Sequence, residues 1–216
     1  MTKRMCAGAL ALAMLAWTSV SADEQAKAAV GSPAPNFTLT DLAGNQHELA
    51  SYKGKIVVLE WFNPDCPFVV KHHHHNKTMK ETYDAYKDKD VVWLAINSGA
   101  PGKQGNGVER NQRAVTEYGI EYPVLLDESG EVGHLYGATN TPHMFVIDAQ
   151  GVLRYAGAID DNRSARTPGE TNYVRAALDA ILAGQEVATP ETRAYGCGVK
   201  YAGDKPKREG KPRNSN

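Results

Sequence analysis

The sequence has few cysteines and no C-x-x-C pair. Three cysteines occur in 216 residues, and the lack of closely spaced pairs excludes zinc-ribbon and dithiol motifs. The net charge is −1, so the chain lacks the overall positive charge that would indicate a nucleic-acid partner. The apolar run near the start, "MCAGALALAMLAW", is too short to span a bilayer comfortably. What remains is the composition of one globular domain with extensions.

Residues 1–22 have the pattern of a secretory signal peptide. A short positive start, "MTKR", precedes the apolar run, and the small residues of "SVSA" follow it. We expect cleavage after Ala22, which removes Cys6 and leaves no stable membrane insertion; an uncleaved anchor is the alternative. The exported protein, periplasmic or secreted, then keeps Cys66 and Cys197 in an oxidising compartment.

The rest of the chain divides into a domain and its extensions. We expect a short linker at residues 23–30 and a domain at residues 31–185. A C-terminal extension at residues 186–204 carries Cys197. Residues 205–216, "KPKREGKPRNSN", are basic and have no apolar side chain to bury, which predicts a disordered tail.

Strands and helices alternate along the domain. Nearly continuous apolar runs, "KIVVLEWF" and "VVWLAIN", are typical of strands covered on both faces. "HMFVID" and "VLRYAG" flank a turn and predict a hairpin. "TNYVRAALDAILAG" has the i, i+3, i+4, i+7 spacing of an amphipathic helix. This order predicts an α/β fold: a central mixed sheet with helices on both faces and an N-terminal β-hairpin extension.

Cys66 lies where a buried strand is predicted to give way to a helix, in "EWFNPDCPFVVKHHHH". Pro67 suits the first helical turn, where its missing N–H is harmless, and the helix is expected to run to about Lys87. Unpaired N–H groups of the first turn and the helix dipole favour a thiolate at Cys66. A thiolate attacks disulfides and peroxides. Cys66 is therefore the candidate nucleophile, and a buried structural cysteine is the alternative.

The neighbours of Cys66 admit more than one interpretation. Glu60, a charge within an apolar strand, is either exposed at the strand end or a buried proton acceptor with a raised pKa. Trp61 is expected to pack beside the site. The four histidines place His72 and His75 on one face of a helix. Zinc usually takes three or four ligands, so we expect neither a metal nor another cofactor.

Five motifs together resemble one family: "EWFNPDCPFVVKH", "WLAINS", "TPHMFVID", "GAIDDN" and "GCGVKY". They are similar to redoxins of the alkyl hydroperoxide reductase/thiol-specific antioxidant type, in particular a peroxiredoxin-like subgroup with CPFV in place of C-x-x-C. The resemblance implies a thioredoxin-like fold, Cys66 as the reactive thiol, and a cis-proline facing it at Pro142, after Thr141. It also allows His72 near the site. Val69 stands where a dithiol enzyme has its second cysteine, and the threonine of the peroxiredoxin P-x-x-x-T-x-x-C pattern is missing.

The favoured function is an exported thiol-dependent oxidoreductase, an antioxidant of the redoxin type. Cys66 attacks a protein or small-molecule disulfide, or a peroxide; Cys197 resolves the product; an unidentified electron donor restores the thiols. Glycines on both sides of Cys197 predict a backbone free to approach and leave Cys66, and a permanent structural disulfide is the alternative. Two other functions stay open: a metal- or haem-handling protein using Cys66 with His72 or His75, and a redox-inert binding module.

Overall fold

The computed structural model describes residues 26–203, so the expected signal peptide and the basic tail lie outside the described residues. Within this range, seven strands form one sheet in the order β2-β1-β5-β4-β3-β7-β8, and two short strands, β6 and β9, pair separately. The strands are β1 (Thr38–Asp41), β2 (Gln46–Glu48), β3 (Ile56–Trp61), β4 (Val91–Asn97), β5 (Val124–Leu126), β6 (Asn140–Thr141), β7 (His143–Ile147), β8 (Leu153–Gly157) and β9 (Cys197–Gly198).

Helices cover the sheet. The α-helices among the described residues are α1 (Pro67–Val70), α2 (Thr78–Tyr86), α3 (Val108–Tyr118), α4 (Glu131–Tyr136) and α5 (Tyr173–Leu182). A 3-10 turn spans Leu49–Tyr52, and a π-helical turn spans Lys71–His75. In the described part of the chain, no helix combines the length and apolar character needed to cross a membrane.

The sheet is mixed, as the sequence predicts. Strand β3 lies near its centre, parallel to β4 and antiparallel to β7. The expected hairpin of β7 and β8 is present. The N-terminal hairpin of β1 and β2 is continuous with the sheet, because β1 pairs with β5.

Two hydrophobic cores lie on the two faces of the sheet, because strand side chains alternate between faces. Val58, Phe62 and Cys66 belong to the first core, under helices α2, α3 and α5. Leu59 and Trp61 belong to the second core, under α4. All six residues of β3 are buried, as the apolar run in the sequence predicts. Helices lie on both faces of the sheet, so that expectation is confirmed.

The helix after Cys66 differs from its prediction. In place of one helix to Lys87, the chain forms α1, then the π-helical turn Lys71–His75, then α2 after a left-handed residue, Lys77, at φ +52°. The wider turn rotates the side chains relative to a 3.6-residue period. His72 and His73 are therefore buried and His75 is exposed, so the expectation that His72 and His75 share a face is wrong.

Residues 191–201, here called the C-terminal strap, cross the molecule from β8 to the loop after β4. Glu191 bridges to Ala156 at one end, and the Lys200 carbonyl accepts a hydrogen bond from Ala100 N at 2.9 Å at the other. Between them, β9 pairs with β6. The strap therefore lies over the carboxyl end of β3, where Cys66 is.

Candidate functional site

Cys66 sits at the junction of β3 and α1. It precedes the first residue of α1, and Pro67 opens the helix as expected. The Cys66 N–H donates to Asn63 O at 3.1 Å, and Cys66 O accepts from Val70 N at 2.9 Å. These bonds fix the backbone on both sides of the thiol. The residue is 0% exposed.

The Thr141–Pro142 peptide bond, next to Cys66, is cis. When it is protonated, the Cys66 thiol donates to the Thr141 carbonyl oxygen, with an S–O distance of 3.0 Å. Thr141 ends β6 and Pro142 directly precedes β7. The chain thus brings together the thiol and the proline that the resemblance pairs.

The strap closes over this site. Cys197 pairs with Thr141 and Gly198 with Asn140 in the antiparallel β6–β9 ladder, so the backbone edge of Thr141 is occupied by the protein's own chain. Cys197 is partly exposed, in contrast to Cys66. Both cysteines are free thiols.

Gly196 has a more specific reason to be glycine than backbone freedom. Its φ is +122°, and a Cβ atom there would lie 2.2 Å from Thr141 O. The Asn140 side-chain amide donates to Gly196 O at 3.0 Å. A side chain at this position would lift the strap, so the glycine permits close approach of two backbones.

The two thiols influence each other directly. The Cys197 thiol donates a hydrogen bond to Cys66, and this is the main reason that the pKa of Cys66 falls to about 6. Burial opposes that change, while the backbone N–H of Val69 reinforces it. The same hydrogen bond and the charge of Cys66 raise the pKa of Cys197. Cys66 is therefore the thiolate and Cys197 the protonated partner.

A buried polar cluster holds the strap beside the thiols. Tyr195 donates its hydroxyl hydrogen to Asp160 Oδ1, and its oxygen lies 3.0 Å from His72 Nε2 and 3.3 Å from Lys71 Nζ. Lys71 Nζ also donates to Asn162 O at 2.7 Å. All five residues except Asn162 are buried. We call Lys71, His72 and Asp160 the buried anchor.

The charges of the buried anchor are paired. Lys71 Nζ lies 3.7 Å from Asp160 Oδ2; burial lowers the pKa of Lys71, and Asp160 acts in the opposite direction. Burial also lowers the pKa of His72, to about 4, so its ring is neutral near neutral pH. His72 is thus close to the site, as the resemblance allows, but it reaches the thiols through Tyr195.

Glu60 is fully buried, so the interpretation that it is exposed at the strand end is wrong. Its carboxylate accepts hydrogen bonds from Trp93 Nε1 at 3.1 Å and from the Tyr122 hydroxyl at 3.0 Å. It lies 2.6 Å from His73 Nε2. These contacts tie β3 to the π-helical turn that follows α1; a role for Glu60 as proton acceptor stays a prediction.

Two other sequence candidates are separated from Cys66. Trp61 packs on the opposite face of the sheet, against Tyr136 and Phe145, and donates to Ser98 Oγ at 3.0 Å. His75 is exposed and its ring contacts that of His74, whereas Cys66 is buried. Among residues 26–203, no group of three or more histidine, cysteine or acidic side chains is arranged to hold a metal ion.

Sequence reasoning missed Tyr195, Lys71 and Asp160. Asp160 lies within "GAIDDN" and Lys71 within "CPFVVKH", two of the motifs that carry the resemblance. Their appearance in those motifs was the available signal. Tyr195 and Asp160 are 35 positions apart, and no local pattern indicates such a contact.

Comparison with known proteins places the chain in a family. Residues 30–156 match the model of the AhpC/TSA family, over more than half of the chain. This match includes Cys66 and Pro142 and ends before Cys197. A thiol-disulfide oxidoreductase ResA from Geobacillus kaustophilus is 32% identical over 131 residues, which are 61% of this chain and 70% of that protein. The ResA of Bacillus anthracis is 32% identical over 128 residues, 59% and 69% of the two chains.

Solved structures agree on the fold. An uncharacterized conserved protein from Geobacillus kaustophilus superposes with a TM-score of 0.74 at 30% identity, covering 87% of this chain and 100% of the other. A putative thiol:disulfide interchange protein DsbE from Chlorobium tepidum has a TM-score of 0.55 at 20% identity, covering 73% and 98%; at that identity it supports the fold alone. The expected thioredoxin-like fold is confirmed. The chain belongs to the AhpC/TSA family, as a redoxin of the thiol-disulfide oxidoreductase type.

Proposed function

We propose that the protein reduces disulfides through Cys66 and resolves the product with its own Cys197. The observation that carries this proposal is the pair of free thiols brought together at the end of β3: Cys197 pairs with Thr141, whose carbonyl oxygen lies 3.0 Å from the Cys66 sulfur. Val69 occupies the place of a second active-site cysteine in a dithiol enzyme. Cys197, from the far end of the chain, lies beside Cys66 and takes the place of that second cysteine.

The exchange has two steps. The Cys66 thiolate attacks a substrate disulfide R–S–S–R′, forms Cys66–S–S–R and releases R′–S⁻. Cys197 then loses its proton to the released thiolate and attacks the Cys66 sulfur. This step forms the Cys66–Cys197 disulfide and releases R–S⁻. The substrate gains two electrons, and an external dithiol must return two electrons to the enzyme.

The order of the steps follows from the electrostatics. In the reduced protein, the hydrogen bond to Cys66 and the Cys66 charge raise the pKa of Cys197. Both causes disappear once Cys66 is in a mixed disulfide. The pKa of Cys197 then falls toward its ordinary value, so Cys197 becomes a nucleophile only after the first step.

Access to Cys66 requires the strap to move, because that thiol is 0% exposed. Lifting β9 frees the backbone edge of Thr141 at the same moment. An exposed edge of this kind accepts an extended peptide by backbone hydrogen bonds. A polypeptide disulfide is therefore the substrate class that fits this site.

Peroxide is the second candidate substrate. The Thr141 hydroxyl is buried and has no hydrogen-bond partner among the described residues, and it belongs to the residue whose carbonyl accepts from Cys66. A peroxide oxygen would supply that partner. The cysteine would then become a sulfenic acid, which Cys197 would convert to the same disulfide with release of water.

The decisive assay compares the unmodified protein with Cys66→Ser and Cys197→Ser on a peptide disulfide, hydrogen peroxide and an organic peroxide. We expect disulfide turnover by the unmodified protein only, and a trapped Cys66 mixed disulfide in Cys197→Ser by mass spectrometry. Turnover of Cys197→Ser at the unmodified rate would reject resolution by Cys197. Faster turnover of peroxide than of disulfide would select the second candidate.

We also propose that the protein is exported. The support is the signal-peptide pattern of residues 1–22; a thiol pair that forms a disulfide suits the oxidising compartment to which such a peptide leads. Intact mass of the protein from the exported fraction tests this. A chain that begins at Asp23 is expected; a mass that retains residues 1–22 contradicts cleavage.

A further inference from the structure

The proposed exchange needs two thiols, and it does not by itself require the buried charges beside them. Removing polar groups from water is costly unless they are paired. Yet Lys71 and His72 are 0% exposed and Asp160 is 2% exposed. The group that they share is the Tyr195 hydroxyl, with contacts to each of the three.

The buried anchor belongs to the rigid side of the site. Lys71 and His72 lie in the π-helical turn that continues α1, the helix that begins next to Cys66. Asp160 lies beyond β8 and accepts hydrogen bonds from the backbone N–H groups of Asn162 and Gly169. The anchor is therefore fixed relative to Cys66.

Tyr195 belongs to the strap, two positions before Cys197. Its ring packs edge-on to Phe68 of α1, at 5.8 Å between centroids. Only Gly196 separates it from Cys197, and Gly196 is in close contact with the Thr141 backbone. Such a short connection has little slack, so a shift of Tyr195 displaces Cys197.

We propose that Tyr195 is a positioning residue: its hydroxyl, held by the buried anchor, sets the path of the strap and thereby keeps Cys197 against Cys66. The inference rests on the proposed function, in which Cys197 resolves the mixed disulfide. In that reaction, the buried anchor maintains a high effective concentration of the Cys197 thiol at Cys66.

Tyr195→Phe tests the hydroxyl while keeping the ring. We expect the equilibrium constant for the Cys66–Cys197 disulfide, measured in a thiol redox buffer, to fall about tenfold, because a hydrogen bond to charged partners is lost. The Cys66 pKa, followed by the ultraviolet absorbance of the thiolate, should rise, since the Cys197 thiol no longer stays in place to donate.

Tyr136→Phe is the matched control. Tyr136 is also a buried tyrosine, and its hydroxyl donates to Pro35 O at 2.6 Å in the second core. Both variants lose one buried hydroxyl, but the Tyr195 hydroxyl belongs to the strap, whereas the Tyr136 hydroxyl bonds to Pro35 outside it. Tyr136→Phe should leave the disulfide equilibrium and the Cys66 pKa unchanged. Equal shifts in both variants would overturn the proposal.

A double-mutant cycle with Cys197→Ala separates positioning from a direct effect. If Tyr195 acts through Cys197, then Tyr195→Phe adds no further change to the Cys66 pKa once Cys197 is absent. An equal change in both backgrounds would refute positioning. Turnover assays of Cys197→Ser test the proposed function separately, so failure of resolution and failure of positioning give different results.

His72→Leu provides a second variant in case Tyr195→Phe does not fold. It removes one partner of the Tyr195 hydroxyl and leaves the contact between Lys71 and Asp160. We expect a change in the disulfide equilibrium in the same direction as for Tyr195→Phe and smaller in size. A folded His72→Leu protein with an unmodified equilibrium would contradict the proposal.

Discussion

The two thiols are held by different physical means. Cys66 lies between a fully buried strand and a helix, and backbone hydrogen bonds fix it on both sides. Cys197 lies on a two-residue strand whose position depends on side chains from elsewhere in the chain. The first thiol is placed by secondary structure and core packing, and the second by the strap, which is held by the β6–β9 pairing, by Tyr195 and by backbone contacts at its two ends. In the proposed exchange, the second arrangement opens while the domain stays folded.

The largest expected effect concerns the reactive thiol itself. Cys66→Ser should abolish disulfide turnover, because no other described thiol has a lowered pKa. Cys197→Ser should permit the first attack and stop there. Stopped-flow release of the first product thiol distinguishes the two variants. A burst in Cys66→Ser would show that the nucleophile is misassigned.

The next effect concerns how closely the strap can lie on the site. Gly196→Ala places a Cβ 2.2 Å from Thr141 O at a φ of +122°, so the strap must lift. Backbone strain of this kind costs about 1–3 kcal/mol. We expect Cys66 alkylation by a small iodoacetamide reagent to accelerate about tenfold or more, since 1.4 kcal/mol is a factor of ten.

Gly198→Ala is the control on the other side of Cys197. Its Cβ would meet Thr139 O at 4.0 Å, an ordinary contact. This variant should be alkylated at the unmodified rate. If Gly198→Ala and Gly196→Ala behave alike, the close approach of Gly196 to Thr141 does not limit access to Cys66.

A third prediction concerns pH. The pKa of Cys66 is lowered to about 6, so its thiolate should form with a midpoint near pH 6. Below that pH the reactive species should decline about tenfold per unit. In Cys197→Ala the donor is gone, and the midpoint should move upward. An unmoved midpoint would mean that Cys197 is not the main cause of the lowered pKa.

The smallest effect is expected at the exposed histidines. His75→Ala should change the free energy of unfolding by no more than about 0.5 kcal/mol and leave Cys66 reactivity unchanged, because the side chain lies in solvent. Chemical denaturation and metal analysis check this. A stoichiometric metal lost with His75 would restore the metal-handling alternative.

The region around Cys66 could be predicted from the sequence, because its signals are local. The apolar run of β3, Pro67 at the start of α1 and the spacing in α5 each follow from residues close along the chain. The resemblance added the cis bond before Pro142. The sequence prediction assumed a constant helical period after Cys66. It therefore missed the break at "KHHHH", which forms a wider, π-helical turn.

The strap could not be predicted in the same way. Tyr195 meets His72 across 123 positions and Asp160 across 35, and such contacts leave no periodic trace in a sequence. Gly196 could be singled out from the sequence, but backbone freedom was the wrong explanation for a glycine there. Its identity reflects the nearness of another backbone, which only the folded arrangement reveals.

The covered position of Cys66 also bears on chemical damage. A thiolate in an oxidising compartment risks stepwise conversion to sulfinic and sulfonic acids, which ordinary thiols do not reverse. Each step needs a fresh oxidant molecule at the sulfur. In the proposed mechanism, a strap that closes over the sulfur after every encounter would limit such repeated contact, and Cys197 would capture the first oxidised state as a reducible disulfide. The closure that we propose delays a substrate would therefore preserve the cysteine between turnovers.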